Sequence, residues 1–303
     1  MTASTADIVG NAWRKQTVVP AFNIPYLPMM APTVRALRDT DSFGLIAVAR
    51  LEWVKFQAGS IEAIRDEYQA VQDPGHTRLH LDHVPVIDED DQRIDFEADI
   101  RRAIAAGYGS VMVDGSRLPL EENIASTRRI VALAHEHGLA VEGELGAVLG
   151  HEAGPLPPYD ELFASGKGFT RPEEAARFVR ETGVDWLSVA IGNVHGAIAQ
   201  AARRQQKVQA RLALEHLELV RQAANIPLVL HGGTGIRPQD IRDAIKRGIA
   251  KINIGTATRQ PYERLAGESV ERAQQAVYDT VVELVRHELQ IAGTAQLLVG
   301  AES

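Results

Sequence analysis

A chain of 303 residues that is 45% hydrophobic and 24% charged can build a large core, and nothing in its composition points to a disordered majority. Its formal net charge of −8, with no long basic stripe, argues against nucleic acid as a partner; the cluster Arg203, Arg204, Lys207 and Arg211 reads as a solvated helix face. Lacking any cysteine, the chain can form neither disulfides nor thiolate sites, so a bound metal must be held by His, Asp or Glu.

After a short amphipathic opening, Thr17 to Phe22 reads as a buried strand and Pro28 to Thr40 as a helix. A strand over Phe43 to Ala49 and a helix over Ser60 to Val71 lead to a third strand, Thr77 to Asp82. Alternation puts Leu79 and Leu81 on one face of that strand and His80 and Asp82 on the other, with His83 where Pro85 ends the extended run. The pattern continues with helix Phe96–Ala106 and strand Ser110–Val113, helix Glu121–His137 and strand Leu139–Glu142, then helix Arg171–Thr182 and strand Trp186–Ala190. Helix Val208–Ala224 precedes strand Pro227–Leu230, helix Pro238–Arg247 precedes strand Lys251–Ile254, and one long helix from about Pro261 to Ile291 closes the chain.

Apolar runs of strand length alternating with helical stretches imply a parallel sheet covered by helices. Eight strand-helix units are the count of a TIM (β/α)8 barrel, an α/β fold; an open doubly wound sheet is the structural alternative. No linker or composition shift divides the chain, so residues 1–303 are expected to form one domain. Residues 1–10 are polar and no apolar run approaches the roughly 18 residues that cross a bilayer, so the expected location is the cytoplasm. Two stretches fall outside the strand-helix frame: the acidic Pro85–Arg93 segment and the Gly- and Pro-rich Ala147–Gly168 segment. With glycines at 150, 154, 166 and 168, the second reads as a hinged lid over the site.

In such a barrel the active site lies at the C-terminal ends of the strands. Those ends carry Asp82-His83, Glu142-Gly143-Glu144, Asn193-Val194-His195-Gly196, His231-Gly232-Gly233-Thr234-Gly235, and Asn253 followed by Gly255-Thr256. Closure of the barrel would bring together His83, His195 and His231, matching three protein ligands around a metal with an open position. Zinc or another imidazole-favouring divalent transition metal fits that donor set. His80 reads as a core or supporting histidine, and His76, His135, His137, His216 and His287 as surface residues. Gly196, Gly232, Gly233, Thr234, Gly255 and Thr256 offer backbone N–H groups at loops entering helices, the kind of nest that binds phosphate.

Several of these blocks, in this order and across nearly the whole chain, resemble the class II, metal-dependent ketose-bisphosphate aldolases of the fructose-bisphosphate and tagatose-bisphosphate type. They are Ala21–Asn23, His80–His83, Ser110–Ser116, Glu121–Asn123, Glu142–Gly146, Val189–Gly196, Pro227–Gly235 and Asn253–Thr256. The resemblance implies a lyase of carbohydrate metabolism that makes or cleaves a phosphorylated ketose or sugar acid through the enediolate of dihydroxyacetone phosphate. An epimerase or dehydratase using the same chemistry is the alternative. It further implies zinc on His83, His195 and His231, with Glu144 near an alternative metal position, and with it a monovalent cation. Asp82 would work on the C4 hydroxyl, Glu152 would move the proton at C3, Asn253 would steady the enediolate, and Asn23 would join the substrate site. A homodimer or homotetramer is the implied assembly.

Three departures bear on substrate. The family usually has a serine near the end of the second strand, where this chain reads Ala47-Val48-Ala49-Arg50, the stretch Gly196–Ala199 lacks the frequent lysine, and Gly255 replaces the aspartate common in fructose-bisphosphate enzymes. Arg259 is a candidate for a distal phosphate or carboxylate.

Overall fold

The computed structural model describes residues 3–146, 159–193 and 210–300. Eight parallel strands close on themselves in sequence order. They are β1 (Val19–Asn23), β2 (Gly44–Ala49), β3 (Thr77–Pro85), β4 (Ser110–Asp114), β5 (Ala140–Leu145), β6 (Trp186–Val189), β7 (Leu228–Leu230) and β8 (Ile249–Ile254). Closure is carried by β8 lying parallel to β1, with Ala21 opposite Asn253. The TIM barrel expected from eight strand-helix units is the architecture found, and the doubly wound alternative falls away.

The outer faces of the strands pack against the helices. Leu79 and Leu81 of β3, Val111 and Val113 of β4, and Leu228 and Leu230 of β7 all sit in that apolar layer. The barrel interior is split by chemistry along its axis. Its lower part is apolar, built from Val19, Ala21, Leu45, Ala47, Ala140, Trp186 and Val229, and Ile8, Val9 and Ala12 of α1 (Thr5–Arg14) plug it from below. That helix is started by Ser4, whose side chain accepts from the Asp7 amide while Asp7 reaches back to the Ser4 amide. The upper interior is polar and buried: His80, Asp82, Ser110, Glu142, Glu144, Ser188, His231, Lys251 and Asn253. Polar groups concentrated at one end of a barrel must pair with each other, because water cannot reach them and an unmade hydrogen bond there is costly.

Three expectations change. The closing helix is two helices, Thr256–Ala266 and Val270–Glu283, because the chain breaks at Gly267 and restarts where the Ser269 side chain accepts from the Arg272 amide. The helix expected from Val208 begins at Leu214; residues 210–213 are not helical. β3 runs on to Pro85, three residues past the predicted end. Its pairing with β4 shifts between Leu81 and Val84, and His83 takes φ = 29°. A left-handed backbone at a non-glycine residue costs about 1–3 kcal/mol and persists only where its surroundings enforce it. The bulge it creates has a use, since it turns Asp82 and His83, neighbours that strict alternation would send to opposite faces, toward the same barrel mouth.

The acidic stretch after β3 is a charge-compensated turn. The Asp88 side chain accepts from the amides of Asp90 and Gln92, and Arg117 binds both the Asp88 carbonyl and Asp91. Lys55 bridges Glu89 and Asp90, and Arg50 lies 3.8 Å from Asp88 and 3.4 Å from Asp99.

Candidate active site

Closure of the barrel brings His83 and His231, 148 residues apart, to within 2.7 Å, with Nε2 of His83 facing Nδ1 of His231. The outer nitrogen of each ring is held by a carboxylate: Nδ1 of His83 by Asp114 at 3.1 Å, and Nε2 of His231 by Glu142 at 2.8 Å. A carboxylate accepts each outer ring proton, so the two inner nitrogens face each other in the mouth and share one proton between them, in the place a cation would take. Glu144 stands beside them, its Oε2 3.7 Å from each histidine and without a hydrogen-bond partner among the described residues.

Asp82 lies alongside. Asn253 donates to its Oδ1 at 2.8 Å and Asn23 to its Oδ2 at 2.9 Å, so the carboxylate is gripped by amides from β8 and β1. His80 sits one pleat lower, Nδ1 on the Ser110 hydroxyl at 2.9 Å and Nε2 3.7 Å from both Asp82 and Glu142, which makes it the supporting core histidine that was expected.

The electrostatics of this cluster favour positive charge. Burial alone would lower the pKa of His83, but Asp82, Asp114 and Glu144 outweigh it and push it up to about 10. Burial and the neighbouring Asp114 raise Glu144 well above the usual carboxylate range. Asp82 goes the other way: burial opposes its ionisation, yet His83, His80 and Lys251 together hold it well below that range. Glu142 is likewise held down to about 2 against its burial, chiefly by Lys251 and His231. His231 is depressed by burial and by His83. Two imidazole nitrogens converging on one shared proton, a buried carboxylate oxygen with no partner among the described residues and an excess of carboxylates are the donor chemistry of a divalent cation site. Asp82, His83 and His231 form one metal-competent group by distance, and His83, Asp114 and Glu144 a second.

Of the residues singled out from sequence, Asn23, Asp82, His83, Glu144, His231 and Asn253 therefore meet in one cluster. Gly232 and Gly233 follow β7, and Gly255 leads into the helix that starts at Thr256. Gly232 has φ = 67°, and a Cβ at Gly233 would lie 2.7 Å from the Ile252 side chain, so the first position uses glycine's backbone freedom and the second its lack of bulk. Thr234 is exposed beside them. Arg259 lies over the Phe56 ring and is bound through both oxygens of Glu263 at 2.7 Å. Glu152, His195 and Gly196 lie outside the described residues, as does most of the expected lid. His216, expected at the surface, is half-buried, with Nε2 2.8 Å from the Thr170 carbonyl oxygen.

Sequence reasoning gave no role to four residues of the cluster: Asp114, Glu142, Lys251 and Glu52. Three carry a visible signal, a charged residue at an inward position of a strand whose neighbours are apolar. Glu52 carries none; it is buried in the short helix Arg50–Val54 that follows β2, accepting from the Ala49 amide at 2.8 Å and from Asn23 at 3.4 Å.

Comparison with known proteins agrees with this geometry. The family model described as class-II fructose-bisphosphate aldolase matches residues 3–296. A probable fructose-bisphosphate aldolase of Bacillus subtilis is 33% identical over 258 residues, spanning 84% of this chain and 81% of its own length. A fructose-bisphosphate aldolase of Staphylococcus aureus is 39% identical over 178 residues, 59% of this chain and 54% of that one. Among solved structures, the YdjI aldolase of Escherichia coli K12 superposes with a TM-score of 0.76 at 28% identity, covering 97% of this chain and all of the other. A putative fructose-1,6-bisphosphate aldolase of Coccidioides immitis gives 0.77 at 25% identity, covering 97% and 98%.

Proposed function

This chain belongs to the class II fructose-bisphosphate aldolase family and is an aldolase, and from that premise we propose that it is a zinc enzyme cleaving or forming a phosphorylated ketose or sugar acid. The observation that carries the proposal is the pair of imidazole nitrogens converging at 2.7 Å, each ring fixed from behind by a carboxylate, with Asp82 gripped beside them. His83, His195 and His231 would hold the metal, Glu144 would offer an alternative ligand, and the all-imidazole set favours zinc over harder ions. When bound, the ion supplies Lewis acidity that stabilises negative charge on the substrate's ketone and hydroxyl oxygens.

The chain's own groups do the rest. Asp82, kept ionised by its surroundings, takes the proton of the C4 hydroxyl as the C3–C4 bond breaks and the aldehyde leaves. The bonding electrons stay on C3 and are delocalised into the ketone; Glu152 then delivers a proton to C3, completing dihydroxyacetone phosphate. Run backwards, the same two transfers build the ketose. Asn23 and Asn253 fix both oxygens of Asp82, so its direction of approach is set before substrate arrives. Asn253 would also steady the enediolate oxygen. Gly196, Gly232, Gly233, Thr234, Gly255 and Thr256 would clasp the phosphate through backbone N–H groups, a grip on a non-reacting part that orients the reacting one. Arg259 would meet a distal phosphate or carboxylate.

The remaining parts of the reading are a monovalent cation, one domain over residues 1–303, a homodimer or homotetramer, and a cytoplasmic location. No helix among the described residues is long and apolar enough to cross a membrane, which is consistent with the last.

Metal analysis tests the core of the proposal. The purified protein should hold one transition-metal ion per chain, lose aldol addition of dihydroxyacetone phosphate to aldehydes on chelation, and regain it with zinc. Full activity in a metal-free preparation would refute it.

A further inference from the structure

Lys251 has no exposed surface, yet it lies in the middle of the apolar run Ile249–Ile254 of β8. A buried ammonium is tolerated only where its donors are taken up, and two are taken up by groups with opposite destinations. Nζ donates to Oε2 of Glu142 at 2.8 Å and to Oδ1 of Asn253 at 2.6 Å. Glu142 is also bound at Oε2 by the Trp186 indole N–H at 2.6 Å, and its Oε1 accepts from Nε2 of His231. Asn253 turns its amide N–H onto Oδ1 of Asp82.

A single ammonium group therefore stands at the branch of an unbroken hydrogen-bonded path, His231 to Glu142 to Lys251 to Asn253 to Asp82. We propose that Lys251 is a positioning residue that sets both halves of the site at once, the metal-ligand geometry of His231 through Glu142 and the direction of Asp82 through Asn253. The inference rests on reading His231 as a ligand and Asp82 as the acid/base. On the Asn253 side, an amide can be rotated end for end with almost no change of shape. The lysine donor bonds only the carbonyl oxygen and the Asp82 carboxylate accepts only from the N–H end, so the two together hold the amide in one place; without the ammonium its oxygen end loses its anchor and the amide is free to swing off the Asp82 carboxylate. On the Glu142 side, the same ammonium and the Trp186 indole tether Oε2, which leaves Oε1 aimed at His231. A group orienting a metal-bound histidine from behind is worth about 10–100-fold in metal affinity.

The test compares wild type with Lys251→Met in two measurements: zinc affinity by competition with a chromophoric chelator, and kcat and KM for aldol addition at saturating zinc. We expect zinc to bind about 10–100-fold more weakly. At saturating zinc we expect kcat to fall by about 10²-fold, the scale of a misdirected reacting group, with KM nearly unchanged. A purely structural lysine would lower the unfolding midpoint and leave both readouts alone, which would overturn the proposal. A change in zinc affinity with a normal kcat would overturn it too, because the arm to Asp82 would then be idle. If Lys251→Met fails to fold, Glu142→Gln is compared with the double variant Lys251→Met/Glu142→Gln, in which no buried charge is left uncompensated. The added lysine change should still lower kcat at saturating zinc by about 10²-fold, and equal kcat values would overturn the proposal. Wild-type protein that binds no zinc would instead refute the underlying reading of His231, an outcome distinct from the others.

Discussion

Glu52 allows a quantitative test of how the site's burial couples to pH. The residue is 8% exposed, and burial, reinforced by the nearby charge of Asp82, pushes its pKa up to about 8 from an ordinary 4.5. A folded-state value above the unfolded one means the native protein binds the extra proton. The associated stability is fully present below about pH 4.5 and is lost as pH rises through about 8. A tenfold difference in proton affinity corresponds to about 1.4 kcal/mol, so between about pH 5.5 and 7 the native state should lose roughly 2 kcal/mol on this account alone. Glu52→Gln removes the titration while keeping an oxygen that can accept from the Ala49 amide and from Asn23. Urea unfolding of wild type and variant, followed by circular dichroism at matched zinc and several pH values, isolates the term because all other titrating groups are common to both. The variant should gain on the wild type by roughly 2 kcal/mol over that interval. Parallel pH profiles would show that Glu52 ionises at an ordinary pH, and the argument from burial would be wrong.

Three further tests address substrate and proton transfer. Because Gly255 replaces the frequent aspartate and the expected serine and lysine are absent, fructose 1,6-bisphosphate should be a poor substrate in steady-state kinetics on fructose, tagatose and sugar-acid phosphates, since unpaired pocket groups can cost several powers of ten in rate; high efficiency on it would refute this. A Cβ at Gly255 would stand 3.6 Å from that of Asn23, an ordinary contact, and the backbone there has φ = −115°, so Gly255→Asp should fold normally and raise kcat/KM on fructose 1,6-bisphosphate. Glu152→Gln should keep zinc and ligand affinity but lose exchange of the dihydroxyacetone phosphate C3 proton with solvent, along with about 10²–10⁴-fold of turnover. Normal exchange in that variant would take Glu152 out of the mechanism.

The sequence by itself determined the periodic features. Eight apolar runs of strand length between helical stretches bury their faces in a parallel sheet covered by helices, and their count is that of a closed barrel, although an open doubly wound sheet would bury the same faces and only the pairing of β8 with β1 decides between them. Once closure is granted, chemistry at strand ends becomes legible, and Asp82, His83, His231, Glu144 and Asn253 do meet. The tertiary structure decided what each of them touches. Asn253 and Asp82 are separated by 171 residues, and no local pattern says that the amide grips the carboxylate. The two-residue alternation of a strand could not foresee the bulge that turns His83 beside Asp82, because its left-handed backbone is enforced by contacts from other strands. Lys251 and Glu142 were visible as charges at inward positions, but their partners come from β5, β6, β7 and β8 together. Likewise the acidic stretch at Asp88 looked unpaired until Arg50, Lys55 and Arg117 were folded against it. Periodicity is a property of neighbours in the chain, whereas the pairing of buried charge is settled by which strand ends closure sets across from one another.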